Sequence, residues 1–272
     1  MAIKKKDFKS IKSKFSKQAK FKSDRFFDLG DSFLDATGLP GPAMGHINMF
    51  LGHTDTGKTT ALVKTAVDAQ KKGILPVFII TEQKWDFPHA KLMGMEIEEL
   101  VDEETGEIEY DGFFLFNNEF QYIEQITDYI NELLDAQKSG ELEYDLLFLW
   151  DSVGSVPCKM TFDGKGGKQH NASTFFIIET LDLVAGTNPI SAVKDKRKVK
   201  FATRSKVSIM KNHVNGLGYE DGRIILTAHG FLSGKDAAEE KKSLEAYKSE
   251  HATYWKDQLG IEGDFDIKEE QG

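Results

Sequence analysis

A chain of 272 residues that is 40% hydrophobic and 29% charged, with a formal net charge of −9, suits a soluble globular protein of one large domain or a domain with an appendage. No stretch approaches the ~18 consecutive apolar residues of a membrane span, and no apolar signal-peptide core stands near the start. Cys158 is the only cysteine, which rules out an internal disulfide, agrees with a reducing compartment, and reads as a small buried thiol.

The charge is unevenly distributed. Residues 1–25 hold nine lysines and Arg25 against Asp7 and Asp24, a net +8, which leaves −17 for the rest. Phe8, Ile11, Phe15 and Ala19 recur there at helical spacing. The segment reads either as a solvated tail or as a basic amphipathic helix. In the second case it could meet nucleic acid, an anionic surface or the acidic body of a neighbouring subunit.

Gly38-Leu39-Pro40-Gly41-Pro42 is a turn-rich entry to the core. A strand is expected near 46–51, followed by Gly52-His53-Thr54-Asp55-Thr56-Gly57-Lys58-Thr59, the G-x-x-x-x-G-K-[ST] pattern, and a helix running to about Lys72 and closed by Gly73. Strand, glycine-rich loop and helix together predict a phosphate site. The glycines let backbone N–H groups turn inward, and the helix start adds partial positive charge. Lys58 can reach the β- and γ-phosphates, and the Thr59 hydroxyl can ligate Mg²⁺.

Pro76–Thr81 reads as a continuously apolar strand that presents Glu82 at its carboxyl end. There a carboxylate can face the ligand crevice of an open α/β sheet and deprotonate water; the alternative is a plain polar strand terminus. A helix is expected near Pro88–Met93 and a surface hairpin around 103–108, then a strand at Phe113–Phe116. Phe120, Ile123, Ile126, Ile130 and Leu134 give 119–137 one apolar helical face. Asp145–Trp150 reads as a buried strand ending in Asp151, where a carboxylate can support Mg²⁺ beside the phosphate loop or simply start a turn. Arg223–Thr227 is a further strand. Strands alternating with helices predict a mostly parallel sheet covered on both faces.

Toward the C-terminus, Lys194–Lys200 is a basic stretch ahead of a probable helix with Arg204, Lys206 and Lys211. It reads as a nucleic-acid channel or as an exposed charged insertion. Ser243–Lys256 reads as a polar helix and 261–272 as a frayed acidic tail.

Four motifs in order resemble the RecA-like recombinase family over roughly residues 33–232. They are the phosphate loop; Val77–Glu82 with Asp86 and His89–Gly94; Trp150-Asp151-Ser152-Val153-Gly154-Ser155; and Ile224-Ile225-Leu226-Thr227-Ala228-His229. The last is similar to the strand that carries the family's polar γ-phosphate sensor, a histidine in phage recombinases of the UvsX type. The resemblance implies an α/β RecA-like P-loop NTPase core at 31–232, with a basic arm at 1–30 and a helical, acidic C-terminal segment at 233–272. It implies ATP and Mg²⁺ as ligands, with Gly52, His53, Thr54, Asp55, Thr56, Gly57, Lys58, Thr59 and Thr60 around the phosphates and metal. Asp151 would support the Mg²⁺ shell, Glu82 would activate water, and His229 would read the γ-phosphate. Asp86 and His89 fall where the family contacts adenine, with histidine standing where the family commonly stacks tyrosine.

The same resemblance implies single-stranded DNA as partner, a homo-oligomeric filament or ring with no membrane association, and a cytoplasmic setting, that of the host if the chain is phage-encoded. The family binds DNA through two loops. Residues 162–171, with Lys165 and Lys168, fit the first in position and composition; a solvated loop is the alternative. Lys235, with Lys241 and Lys242, occupies the position of the second. The implied function is an ATP-dependent, single-stranded-DNA recombinase. The alternatives are a RecA-like motor or helicase-related ATPase, and a nucleotide-gated DNA-binding accessory with negligible turnover.

Overall fold

The computed structural model describes residues 25–53, 55–82, 84–159, 174–180, 189–194, 197–212 and 222–269, with backbone alone at 174–180, 210–212 and 269. The basic arm through residue 24, the expected DNA loop with Lys165 and Lys168, and Thr54 lie outside them.

Six helices are described: α1 (Asp31–Thr37), α2 (Lys58–Lys71), α3 (Phe87–Leu92), α4 (Ile123–Ser139), α5 (Ala237–Glu250) and α6 (Ala252–Asp257). Twelve strands run β1 (Asn48–Leu51), β2 (Leu75–Ile80), β3 (Glu98–Val101), β4 (Ile108–Asp111), β5 (Leu115–Asn117), β6 (Leu146–Asp151), β7 (Thr174–Thr180), β8 (Pro189–Lys194), β9 (Arg197–Asn212), β10 (Gly222–Thr227), β11 (Gly230–Ser233) and β12 (Asp266–Glu269). Among the described residues, no helix is long and apolar enough to cross a membrane.

The strands form two larger sheets instead of one mostly parallel sheet. Strands β5, β2 and β6 make a three-stranded parallel sheet. All six β2 residues are buried because both faces are covered. Phe78 and Ile80 pack with Val63, Ala66 and Val67 of α2 and with Ala90 of α3. Ile79 packs on the other face with Ile126 of α4. Such two-sided burial explains the unbroken apolar run. The seven-stranded sheet follows β1-β7-β9-β10-β11, with β8 and β12 added on β9. Only β1–β7 is parallel there; every other pair is antiparallel. An antiparallel pair needs only a hairpin connection, so the sheet grows without the helical crossovers that a parallel neighbour demands. The short β3–β4 hairpin lies near the expected place, with Asp102 accepting from the Glu104 and Thr105 amides at its turn.

The C-terminal third departs most from the sequence reading. Lys194 and Arg197 belong to the β8–β9 hairpin, and Arg204, Lys206 and Lys211 lie on a 16-residue strand instead of a helix. The run Lys198-Val199-Lys200-Phe201 alternates, which is a period of two, and both faces of 201–205 are buried. The expected frayed tail carries β12, paired with β8. The expected single polar helix is α5 and α6, separated at His251, and it buries Leu244, Tyr247 and Trp255 with Ile190, Phe201, Ile225, Ile261 and Phe265. Neighbouring residues of β10 thus serve opposite faces: Ile225 meets this cluster, and Ile224 meets Phe33 and Ala36 of α1. At Gly222 the α1 backbone approaches so closely that a Cβ would collide with the Ala36 carbonyl.

Candidate active site

The glycine-rich turn that the sequence marked as a candidate phosphate loop joins the end of β1 to α2. Gly57 turns the chain into the helix with φ 98°, a conformation glycine adopts without steric cost. The Leu226 and Phe231 side chains close over it at 3.2 Å from where a Cβ would stand, so β10 and β11 form the wall behind the loop. Gly52, His53 and Asp55 are exposed. The loop closes on the His53 carbonyl, which accepts from Lys58 Nζ at 2.6 Å and from Thr56 Oγ1 at 2.9 Å. The Lys58 ammonium therefore already points back over the loop, where phosphate oxygens would compete with that carbonyl. Thr59 is exposed in the first turn of α2, and Thr60 is buried beside it.

Two strand ends, those of β2 and β6, meet the first turn of α2 beside this loop. Thr59 Oγ1 donates to Asp151 Oδ2 at 2.7 Å across 92 residues of sequence. A hydroxyl and a carboxylate so placed offer two oxygen ligands to Mg²⁺, which commonly takes one or two carboxylates together with substrate phosphates. That donor set fits the ion implied by the sequence. Strands β2 and β6 run parallel in register, Ile80 opposite Asp151, so Glu82 emerges next to the Asp151 end. Ser152 Oγ donates to Glu82 Oε1 at 2.5 Å. Thr81 anchors the junction: its amide donates to the Asp151 carbonyl at 2.8 Å and its hydroxyl to the Ser152 carbonyl at 2.7 Å. Ser155 Oγ lies 2.5 Å from Thr81 Oγ1, and the Trp150 indole donates to Thr81 at 3.2 Å. Sequence reasoning missed Thr81, Ser152 and Ser155 as positioning groups, although a polar run at the end of two neighbouring apolar strands was a usable signal.

Asp86 caps α3, its Oδ1 accepting from the His89 amide at 2.9 Å, with Pro88 in the first turn. His89 is half-buried.

His229 lies in that turn, not at the start of a loop; β11 follows at once, then exposed Lys235 and the Asp236 cap of α5. Its Nδ1 is 2.7 Å from the Tyr247 hydroxyl, its ring stacks on His251 at 3.8 Å, and Tyr254 meets it edge-on at 4.9 Å. Burial, and then His251, Lys64 and His89, push its pKa down to about 4, so the ring is neutral near pH 7. Lys64 of α2 packs where a Cβ on Gly230 would stand, and donates to the Met93 carbonyl at 3.0 Å. The phosphate-loop helix, the end of α3 and the His229 turn are thereby packed together. Among the described residues, no group of three or more His, Cys, Asp or Glu side chains is placed to hold a metal ion by itself.

Comparison with known proteins gives an independent result. Residues 3–111 match the RecA N-terminal domain family. The chain is 38% identical to Protein RecA of Aquifex aeolicus over 65 residues, which is 24% of this chain and 19% of that protein. It is 36% identical to Protein RecA of Syntrophobacter fumaroxidans over 66 residues, 24% of this chain and 19% of that protein. With Protein RecA of Ureaplasma parvum it is 29% identical over 112 residues, 38% of this chain and 34% of that protein. The alignments thus span between 19% and 34% of these relatives' length. The family match holds the phosphate loop, Glu82, Asp86 and His89, and ends before Asp151 and His229.

Proposed function

We infer, from the match of residues 3–111 to the RecA N-terminal domain family together with the site geometry, that the chain is a RecA-like, ATP-dependent recombinase that pairs and exchanges strands on single-stranded DNA. The observation that carries the reading is the Thr59–Asp151 hydrogen bond with Ser152-bound Glu82 beside it. It supports the reading because Thr59, Asp151 and Glu82 lie together beside the glycine-rich loop, where a metal-type donor pair and a base would be needed.

In this reading the loop amides and Lys58 hold the β- and γ-phosphates of ATP. Thr59 and Asp151 would hold Mg²⁺, which when bound neutralises charge developing on the phosphate oxygens. Glu82 takes the proton of the attacking water, with Ser152 fixing one carboxylate oxygen so that the other is free for that task. His229 reads the γ-phosphate. Lys165 and Lys168, with exposed Lys235, are the candidate DNA contacts, and the type proposed is that of the phage UvsX recombinases. Assembly as a filament or ring belongs to the same proposal.

The test is ATP turnover with and without single-stranded DNA, combined with electron microscopy of the same mixture and a strand-exchange assay. DNA-stimulated hydrolysis, filaments and exchanged strands are expected. Stimulated hydrolysis with unwinding and no exchange would make the chain a motor, and negligible turnover with nucleotide-gated binding would make it an accessory. The switch is tested by His229→Ala. This variant keeps Lys58 and Thr59 to bind ATP, but its DNA affinity should be the same with an ATP analogue and with ADP. A parental ratio of the two affinities would remove His229 from the switch.

A further inference from the structure

We propose that Tyr247, on the C-terminal helix α5, is the positioning residue of His229: its hydroxyl donates to Nδ1 and so fixes the ring proton on Nε2, the nitrogen left to meet an anionic ligand. The proposal rests on the sensor reading of His229. It assigns to residues beyond the matched N-terminal stretch a part in the same switch.

The geometry supports it at each step. Tyr247 is 1% exposed, its ring lies parallel to Phe201 of β9 at 6.0 Å, and it meets Trp255 of α6 edge-on at 5.7 Å. Such packing leaves the ring few rotamers, so the hydroxyl is delivered to one place, 2.7 Å from His229 Nδ1. Helix α5 is itself held to the sheet: Glu240 accepts from Arg204 Nε at 2.9 and 3.0 Å, and both partners are largely buried. His251, at the junction of α5 and α6, stacks on the imidazole at 3.8 Å and itself packs against the Tyr247 ring at 4.6 Å.

Chemistry then selects the direction of the bond. A neutral imidazole carries one N–H, and the hydrogen bond made by one nitrogen decides where that proton sits. If Nδ1 donated to the tyrosine, Nε2 would be a bare lone pair and would repel a phosphate oxygen. With the tyrosine donating, Nε2–H becomes the donor a γ-phosphate requires. The phenol suits the role because burial raises its pKa, which keeps the hydroxyl protonated. The charged and titratable groups around the imidazole are His251, Lys64 and His89, which disfavour a second proton, with Tyr254 at its edge.

The experiment is nitrogen-15 NMR of the histidine rings in the full chain at pH 7, followed by Tyr247→Phe and, as a control, Tyr254→Phe. The parent should show His229 as the Nε2–H tautomer. Tyr247→Phe should give a mixture of tautomers and reduce the analogue-to-ADP ratio of DNA affinities, within the roughly 5- to 150-fold range of ordinary allosteric coupling. Tyr254→Phe, which removes a hydroxyl from the same cluster, should change neither. A parent carrying the proton on Nδ1 overturns the proposal without any variant being made. So does a Tyr247→Phe protein with an unaltered tautomer and ratio. If His229→Ala keeps the parental ratio, the sensor reading falls, and the tautomer measurement still decides whether Tyr247 sets the ring.

Discussion

The two ends of the candidate site are built on opposite physical principles. At the phosphate end, Lys58, Thr59, Glu82, Asp151 and Ser152 are polar groups on three elements, joined by short hydrogen bonds near solvent. At the His229 end, one imidazole is enclosed by Tyr247, His251 and Tyr254, and the chain around it is held by buried aromatic packing. The first end can exchange its internal partners for those of a ligand at little cost, because each group keeps a partner throughout. The second holds one arrangement and is suited to transmitting a change. The contrast shows how distant segments meet: α5 and α6 lie far along the chain from the glycine-rich loop, yet their Tyr247, His251 and Tyr254 surround the His229 ring in the turn after β10.

The largest effect should come from the chemistry of the polar end. Glu82→Gln preserves shape and the Ser152 contact but removes the base, so triphosphate binding should persist while turnover falls by roughly 10²–10⁴-fold. Hydrolysis at the parental rate would exclude Glu82 as the base. The aromatic end should respond in stability instead. Trp255→Ala empties part of the cluster of Phe201, Tyr247 and Phe265 and should destabilise by about 3–5 kcal/mol. Thermal unfolding measures this, and a melting temperature within a degree or so of the parent would show that α5 and α6 are not packed as described. Next in size, Lys58→Ala should weaken triphosphate binding by around 100-fold, corresponding to the loss of a hydrogen-bonded charge worth up to ~3 kcal/mol. Calorimetry with an ATP analogue reads it, and unimpaired binding would move the phosphates elsewhere.

The smallest expected effect is a pH dependence confined to the aromatic end. His229 titrates at about 4 in the folded chain and His251 is also lowered, whereas an unfolded histidine titrates near 6.5. Between those values the unfolded state binds more protons, so stability should be full above about pH 6.5 and decline as pH falls toward 4. Because the His229 ring is only partly buried, solvent screening holds its share to roughly 1 kcal/mol. His229→Gln should flatten the slope between pH 6.5 and 5 in denaturant titrations. An identical slope in the variant would assign the dependence to other groups.

The polar end was legible because its signals are local. Gly52–Thr59 states loop, lysine and hydroxyl in eight consecutive residues, and β2 and β6 announce themselves as unbroken apolar runs with a carboxylate at or just beyond their ends. Helix α4 could be read from one apolar face, of which Ile126 is fully buried. The C-terminal third was not legible by the same rules. Lys198, Lys200, Arg204 and Lys206 gave 194–211 the look of a charged insertion or helix, yet they alternate along β9. Acidic residues hid β12, which pairs along β8.

The sequence by itself therefore determined the α/β class, the glycine-rich turn between β1 and α2, and the strand ends that carry Glu82 and Asp151, since backbone turns and strand ends follow from glycine spacing and apolar periodicity. Only the tertiary structure decided the split into a parallel and a largely antiparallel sheet, the Ser152–Glu82 contact, and the partnership of His229 with Tyr247 and His251. Those depend on which strands become neighbours and which rings share one pocket. Strand pairing and side-chain packing are settled by burial between segments distant in sequence, and no local pattern carries that information.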